Sequence, residues 1–251
     1  MKSRMMNQPK FFEEFRKQES SRANRAFLFM SAIFIGALVM TNAIAGKFFI
    51  LFGHPLSSGI IAYPITFLIT DLISEIYGLK KANLLVKAGF LVSLFVTLIV
   101  IIANRALIYD QSPVSQESFH MVFGLMPGIV FGSMAAYLSA QFFDVRVFEY
   151  WRKLTNGKYL WLRNNGSTML SQIIDTVVVV TVALVIWPQV DANPQTIAID
   201  WGLWRDIVIG QYIFKAALAL LDTPFFYAGV FFLKHWIAAD PMIEKETFPP
   251  A

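Results

Sequence analysis

Residues 62–78, AYPITFLITDLISEIYG, place two carboxylates inside an otherwise apolar segment. At about 100° per residue, the polar side chains fall on one half of a helix and the aliphatic ones on the other. The polar half carries Tyr63, Thr66, Thr70, Asp71, Ser74, Glu75 and Tyr77. Because charged groups are costly against lipid, this half is predicted to face other helices or a polar cavity.

The composition is typical of an integral membrane protein. Hydrophobic residues make up 56% of the 251, and the mean hydropathy is +0.55. Such a balance leaves too little polar surface for a soluble globular protein. The chain has no cysteine, and its histidines lie outside the long apolar runs, so disulfides and an intramembrane histidine metal site are not expected. Walker A, HExxH and GxSxG motifs are also absent from the sequence, so we expect no metal, no cofactor and no enzymatic activity.

Six apolar runs are predicted to cross the membrane as helices. They cover about 26–46, 62–78, 84–103, 121–143, 166–187 and 203–233. The segments between them are predicted to be loops, including a short loop before the second run, a tight basic turn at 79–83 and the longest loop at 144–164. Lysine and arginine concentrate in the amino-terminal tail and between alternate runs, which by the positive-inside rule places both termini in the cytoplasm. The pattern therefore predicts an all-α polytopic membrane protein with six transmembrane helices. It divides into a basic cytoplasmic tail at 1–25, a membrane domain at 26–235 and a cytoplasmic tail at 236–251.

Two further segments have competing interpretations. The fourth run carries a small residue at every fourth position from Gly124 to Ala140, which favours close helix packing and could also receive a partner protein. The segment 144–164 mixes cations with aromatic side chains, as RNA-binding surfaces do. Beside two apolar runs, this mixture is more typical of a membrane interface. We therefore expect no nucleic-acid partner.

Charged residues on three runs are predicted to meet near the middle of the bilayer. At about 1.5 Å per residue, Asp71, Asp175 and Lys215 have similar depths, with Glu75 and Asp222 one or two turns nearer the cytoplasm. Each such charge costs about 2.5–3.5 kcal/mol at a helix centre, so these groups must pair or line a wet cavity. One structural ion pair between Lys215 and an aspartate is the simpler hypothesis. Four carboxylates against one lysine favour a ligand cavity.

An acceptor-rich cavity suits a flat ligand with adjacent N–H donors. A carboxylate can accept two parallel hydrogen bonds from the edge of a guanine-like ring, and aromatic side chains such as Tyr63 and Tyr77 can stack on its face. Gln172 on the fifth run and Gln211 on the sixth share the polar faces of Asp175 and Lys215. The residues thus predict a class of ligand, a planar nucleobase-like molecule.

Several blocks of sequence resemble the queuosine precursor transporter family, formerly grouped with vitamin uptake transporters. They are TNAIAGKFF at 41–49, AYPITFLITDLISEIYG at 62–78, AQFFDVRVF at 140–148 and WLRNNGSTMLSQIIDT at 161–176, with Lys215 and Pro224 in the last run. The resemblance implies a multi-pass inner-membrane protein that imports 7-deazaguanine bases for tRNA modification. These bases are 7-cyano-7-deazaguanine, its 7-aminomethyl relative or queuine. The membrane domain would then be the transport domain.

The resemblance also supplies a set of expected substrate-binding residues. They are Asn42, Tyr63, Thr66, Asp71, Glu75, Gln172, Asp175 and Lys215. From the chemistry of these side chains, we expect Asp71 or Glu75 to bind the N–H edge of the base, Gln172 and Asn42 to bind its carbonyl, and a tyrosine to stack on it. Asp175 and Lys215 would form a charge pair that rearranges when access to the cavity changes.

The mode of action stays open at this point. The chain could work alone as a secondary transporter, or it could be the substrate-binding membrane subunit of an ATPase-driven vitamin-type uptake system. Paired carboxylates can also serve acid and base chemistry, yet no nucleophile, metal set or phosphate loop accompanies them. The sequence leaves homo-oligomerisation, the driving ion and the preferred base undecided.

Overall fold

The computed structural model describes residues 22–155, 160–191 and 199–238, which form a bundle of helices with one β-hairpin. The helices are α1 (Arg22–Ile44), α2 (Tyr63–Tyr77), α3 (Leu79–Arg105), α4 (Gln116–Phe123), α5 (Met126–Leu154), α6 (Leu160–Thr181), α7 (Trp187–Val190) and α8 (Trp201–Ala238). The hairpin strands are β1 (Phe48–Leu51) and β2 (His54–Ser57). A 3₁₀ helix, Ser58–Ile61, leads into α2, and a π-helix, Val182–Ile186, joins α6 to α7.

Among the described residues, four segments are long and apolar enough to cross a membrane. They are Arg22–Ile44, Leu79–Arg105, Gln116–Ala140 and Met169–Val190. The protein is therefore a helical, multi-pass membrane protein, as predicted. Helix α2 has only 15 residues, fewer than the roughly 20 that a bilayer needs, so the six-span arrangement stays a prediction. The predicted tails at 1–25 and 236–251 lie largely outside the described residues.

The connection before α2, expected to be a short loop, is an antiparallel hairpin. Phe48 pairs with Ser57 and Leu51 with His54 across a two-residue turn. The turn residues, Phe52 and Gly53, have φ angles of +49° and +82°, as a type I′ turn requires. Glycine adopts this conformation without steric cost, whereas phenylalanine is strained there.

The hairpin packs on α8 at Gly210. A Cβ atom at this position would lie 2.8 Å from His54 Cβ, so a larger residue would push the hairpin away. On its other side the hairpin is tied to the end of α1, because the Ser57 hydroxyl donates to the Ala45 carbonyl at 2.7 Å. The hairpin thus bridges α1 and α8 at one end of the bundle, called here the hairpin end.

Two expected connections are wrong in detail. The predicted basic turn at 79–83 is helical, since α2 ends before Gly78, which has a φ of +84°, and α3 begins directly after it at Leu79. The segment predicted as a loop from Asp144 continues α5 as far as Leu154. No glycine or proline interrupts residues 144–154, so the backbone hydrogen bonds of the helix continue beyond the apolar run.

The small residues of α5 allow close packing, as predicted. A Cβ at Gly128 would lie 2.3 Å from Trp187 Cγ, and one at Gly132 would lie 3.3 Å from Val182 Cβ. The Trp187 indole also donates to the Gly124 carbonyl at 2.9 Å. These glycines are therefore covered by the chain's own π-helix and α7, which argues against the alternative that a partner protein packs on this face.

Two hydrophobic clusters form the core. One joins α1, α2 and α3 around Ile73, which is fully buried, and Phe226 of α8 packs against it. The other lies toward the hairpin end, where Ala45, just after α1, packs with residues of α5, α6, the π-helix and α8, and Ile207 is 1% exposed. Phe34 of the first cluster and Leu184 of the second both face a space between them, and this space is the candidate site.

Candidate substrate-binding cavity

A cavity of about 310 Å³ lies inside the bundle. Its walls come from α1, the hairpin, the 3₁₀ helix, α2, α3, α5, α6, the π-helix and α8, and most of the lining side chains are apolar. The polar lining residues are Thr41, Asn42, Ser57, Tyr63, Thr66, Thr70, Ser133, Tyr137, Asp175, Gln211 and Lys215. Small-molecule sites of about 300–1,000 Å³ with this mixture of apolar walls and a few polar groups are usual in proteins, so the cavity suits a small ligand.

The charged part of the cavity is an ion pair between α6 and α8. Lys215 Nζ donates to Asp175 Oδ2 at 2.7 Å and to Thr176 Oγ1 at 3.3 Å. Lys215 is 6% exposed, whereas the Asp175 side chain is 25% exposed. The lysine is thus held in the wall by two acceptors, and the carboxylate is the more accessible partner. The expected pairing of these two residues is present.

Aromatic rings form two of the walls. The Tyr63 ring lies 5.0 Å from Lys215 Nζ, a cation–π distance, and 4.4 Å from the Phe67 ring on the same helix. Phe90 of α3 and Tyr137 of α5 form a second pair, with ring centroids 5.2 Å apart in an edge-to-face arrangement. These rings give the cavity flat, apolar surfaces beside the ion pair.

The remaining polar groups are positioned by local hydrogen bonds. Asn42 is 3% exposed, and its Nδ2 donates to the Ser93 hydroxyl on α3 at 3.4 Å, which fixes the amide between the two helices. The hydroxyls of Thr66 and Thr70 donate to backbone carbonyls of their own helix, at 2.7 Å to Tyr63 and 2.8 Å to Phe67. Because their protons are used in α2, these two threonines can offer a ligand only acceptor lone pairs.

The structure brings five of the eight expected residues to the cavity and leaves three outside it. Asn42, Tyr63, Thr66, Asp175 and Lys215 line the space, whereas Asp71, Glu75 and Gln172 do not. Asp71 and Glu75 are exposed, and Glu75 accepts a hydrogen bond from Lys234 of α8 at 2.8 Å. The expected convergence of several carboxylates is therefore not found among the described residues. The Asp222 side chain is outside the described part of the chain.

Helix geometry explains why Asp71 and Glu75 on α2, and Gln172 on α6, lie outside the cavity. The cavity face of α2 is a narrow stripe that includes Tyr63 and Thr70, and Asp71 and Glu75 lie about 100° and 140° further around the helix than Thr70. The polar half of the helix is therefore wider than its cavity face. Gln172 is on the same side of α6 as Asp175 but about 4.5 Å further from the hairpin end, beyond the cavity.

Six polar lining residues were not among the expected site residues, namely Thr41, Ser57, Thr70, Ser133, Tyr137 and Gln211. Ser133 and Tyr137 lie one helical turn apart on α5, beside the small-residue face, and Gln211 lies one turn before Lys215 on α8. The spacing of four residues in the middle of an apolar run is the signal that could have identified Ser133 and Tyr137. They are uncharged, so a search guided by the cost of burying charge does not select them.

The fold and the cavity together define a multi-pass membrane protein with an internal site of ligand size. Residues 57–229 match the model of a protein family described as "Putative vitamin uptake transporter". The chain is 32% identical over 202 residues, 78% of its length and 82% of the relative's, to the "Probable queuosine precursor transporter" of Bacillus subtilis (strain 168). No solved structure shows significant similarity to the chain. The chain belongs to the queuosine precursor transporter family, and it is a transporter and not an enzyme.

Proposed function

We propose that this protein imports 7-deazaguanine bases across the cell inner membrane for tRNA modification. In this proposal the membrane domain has six spans, both termini are cytoplasmic and no nucleic acid is bound. The observation that carries it is the cavity of about 310 Å³, in which a carboxylate lies beside aromatic rings. The "Probable queuosine precursor transporter" of B. subtilis supports the choice of substrate class.

Asp175 is the proposed acceptor for the N–H edge of the base. Lys215 bonds to Oδ2, and the side chain is 25% exposed, so we propose that the other oxygen, Oδ1, accepts from a ligand in the cavity. A charge-assisted hydrogen bond from a base N–H to a carboxylate would be stronger than a hydrogen bond between two neutral groups. This assignment replaces Asp71 and Glu75, which lie outside the cavity.

The other contacts follow from the same wall. The amides of Asn42 and Gln211 are proposed to bind the carbonyl of the base, and Thr66 contributes an acceptor. Tyr63 and Phe67 offer a surface on which the ring can stack. Ser133 and Tyr137 on the opposite helix would then contact the remaining edge. Glu75, Asp71 and Gln172 are left with roles outside substrate contact.

Uptake of labelled base into proteoliposomes tests the proposal. Purified protein should take up 7-cyano-7-deazaguanine with saturable kinetics, and comparing uptake with and without a pH gradient shows whether protons drive it. Asp175→Asn should abolish uptake, whereas Glu75→Gln, a matched loss of a lysine-paired carboxylate outside the cavity, should retain most of it. Uptake that survives Asp175→Asn but is lost in Glu75→Gln would contradict the proposed site.

A further inference from the structure

The described cavity lining carries one negative and one positive side chain, and these neutralise each other. The carboxylate is Asp175 and the ammonium group is Lys215, which are in direct contact at 2.7 Å. The second lysine–carboxylate pair that connects to α8, Glu75 with Lys234, lies outside the lining and is also internally matched. A ligand that enters the cavity therefore contacts polar groups and aromatic rings, and the two ion pairs together contribute no net charge.

The contacts of Lys215 also make it difficult for a cationic ligand to replace this lysine as the partner of Asp175. Lys215 is almost fully buried and has a second acceptor in Thr176, so rotating the ammonium away from Asp175 would leave it without its carboxylate in an apolar wall. Breaking one partner out of a buried pair is strongly unfavourable. A cationic ligand group thus cannot take over Asp175 at low cost, and while the pair persists it would lie close to a like charge.

We infer that the cavity selects an uncharged planar base over the same ring carrying a cationic arm. This inference rests on the proposed function and concerns the substituent on the ring, not the ring itself. A 7-cyano group is neutral, whereas a 7-aminomethyl group is a primary amine and is protonated at pH 7. The cation must give up its hydration in a largely apolar cavity without an unpaired carboxylate to receive it. The neutral base is the preferred substrate.

A pair of ligands of nearly equal size isolates the effect of charge. Equilibrium binding to purified protein is measured for 7-hydroxymethyl-7-deazaguanine, which is neutral, and for 7-aminomethyl-7-deazaguanine. The neutral ligand should bind at least about tenfold more tightly, given the cost of placing an ammonium group in an apolar membrane interior. Equal affinities, or tighter binding of the cation, would overturn the inference without touching the proposed function. If neither ligand nor the cyano base binds, the proposed function itself fails.

Two lysine variants test whether the Asp175–Lys215 pair causes the preference for the neutral ligand. Lys215→Met leaves the Asp175 carboxylate without its lysine, so the ratio of neutral to cationic affinity should fall at least about tenfold. Lys234→Met removes a lysine from a similar pair outside the cavity and should leave the ratio unchanged. A ratio that is the same in Lys215→Met as in the wild type would overturn the role of the pair. The ligand comparison on the wild-type protein remains decisive if Lys215→Met does not fold.

Discussion

Two of the protein's lysine–carboxylate pairs, one buried and one exposed, allow the effect of burial on the stability that an ion pair contributes to be measured within one molecule. Lys215 and Asp175 are 2.7 Å apart, with side chains 6% and 25% exposed. Lys234 and Glu75 are 2.8 Å apart, with side chains 55% and 47% exposed. Distance and donor type are nearly equal, so burial is the variable. The perturbation is removal of one or both partners in each pair.

The expected free energies differ because of desolvation. Asp175→Asn leaves a buried ammonium without its carboxylate, which should lower the free energy of unfolding by about 3–5 kcal/mol. Glu75→Gln should lower it by no more than about 1 kcal/mol, since solvent and the lipid interface can solvate Lys234. The double variant Asp175→Asn with Lys215→Met removes the uncompensated charge, so it should recover most of the loss.

The assay is a double-mutant cycle with reversible denaturation in detergent micelles, combined with substrate binding. The buried pair should show a coupling energy of more than about 2 kcal/mol and the exposed pair one below about 1 kcal/mol. The double variant should be stable yet unable to bind the base, because Asp175 is gone. Equal coupling in the two pairs would refute the reasoning from burial. A stable double variant that still binds the base would show the pair to be purely structural.

Three further predictions concern backbone positions. Gly128→Ala should destabilise the protein by about 1–3 kcal/mol because its Cβ would collide with Trp187, whereas Gly36→Ala, with nothing within 4 Å, should be neutral or stabilising in the same thermal unfolding assay. Gly210→Ala should displace the hairpin and lower uptake into proteoliposomes, and unchanged uptake would show that the hairpin does not need this contact. Phe52→Asn should raise the free energy of unfolding by about 1 kcal/mol by relieving a positive φ, and a lower melting temperature would argue that Phe52 is held by other contacts.

The ion pair could be predicted because charge in a membrane is costly and helical spacing is regular. Asp175 and Lys215 had similar predicted depths on their runs, and a buried lysine needs an acceptor. The cost of charge in a bilayer also led us to place Asp71 and Glu75 in the cavity. This cost indicates that a side chain avoids lipid, but it does not identify the residue that the side chain contacts. Glu75 meets a lysine near the end of α8, a contact between residues 159 positions apart that no local pattern contains.

Two cavity residues, Ser133 and Tyr137, and the hairpin could not be predicted from the cost of burying charge. Tyr137 and Ser133 are tolerated in many environments, so their presence on a helix does not fix what they face. The strand Phe48–Leu51 is uniformly apolar and only four residues long, and it cannot be told from the end of a helix by periodicity. Pairing with a strand that begins at His54 decides its structure, and that pairing depends on a turn containing a strained phenylalanine.

The π-helix between α6 and α7 has a consequence for comparing this chain with its relatives. Proline at 188 has no amide hydrogen to continue the α-helical ladder, and the Trp187 amide instead bonds to the carbonyl of Val182, five positions earlier. The wider turn accommodates one extra residue. A deletion there would rotate the Trp187 indole by about 100° around the helix axis, away from Gly128. A homologue one residue shorter in this segment should therefore lack either the tryptophan or the glycine. Length variation and side-chain identity at these distant positions should change together.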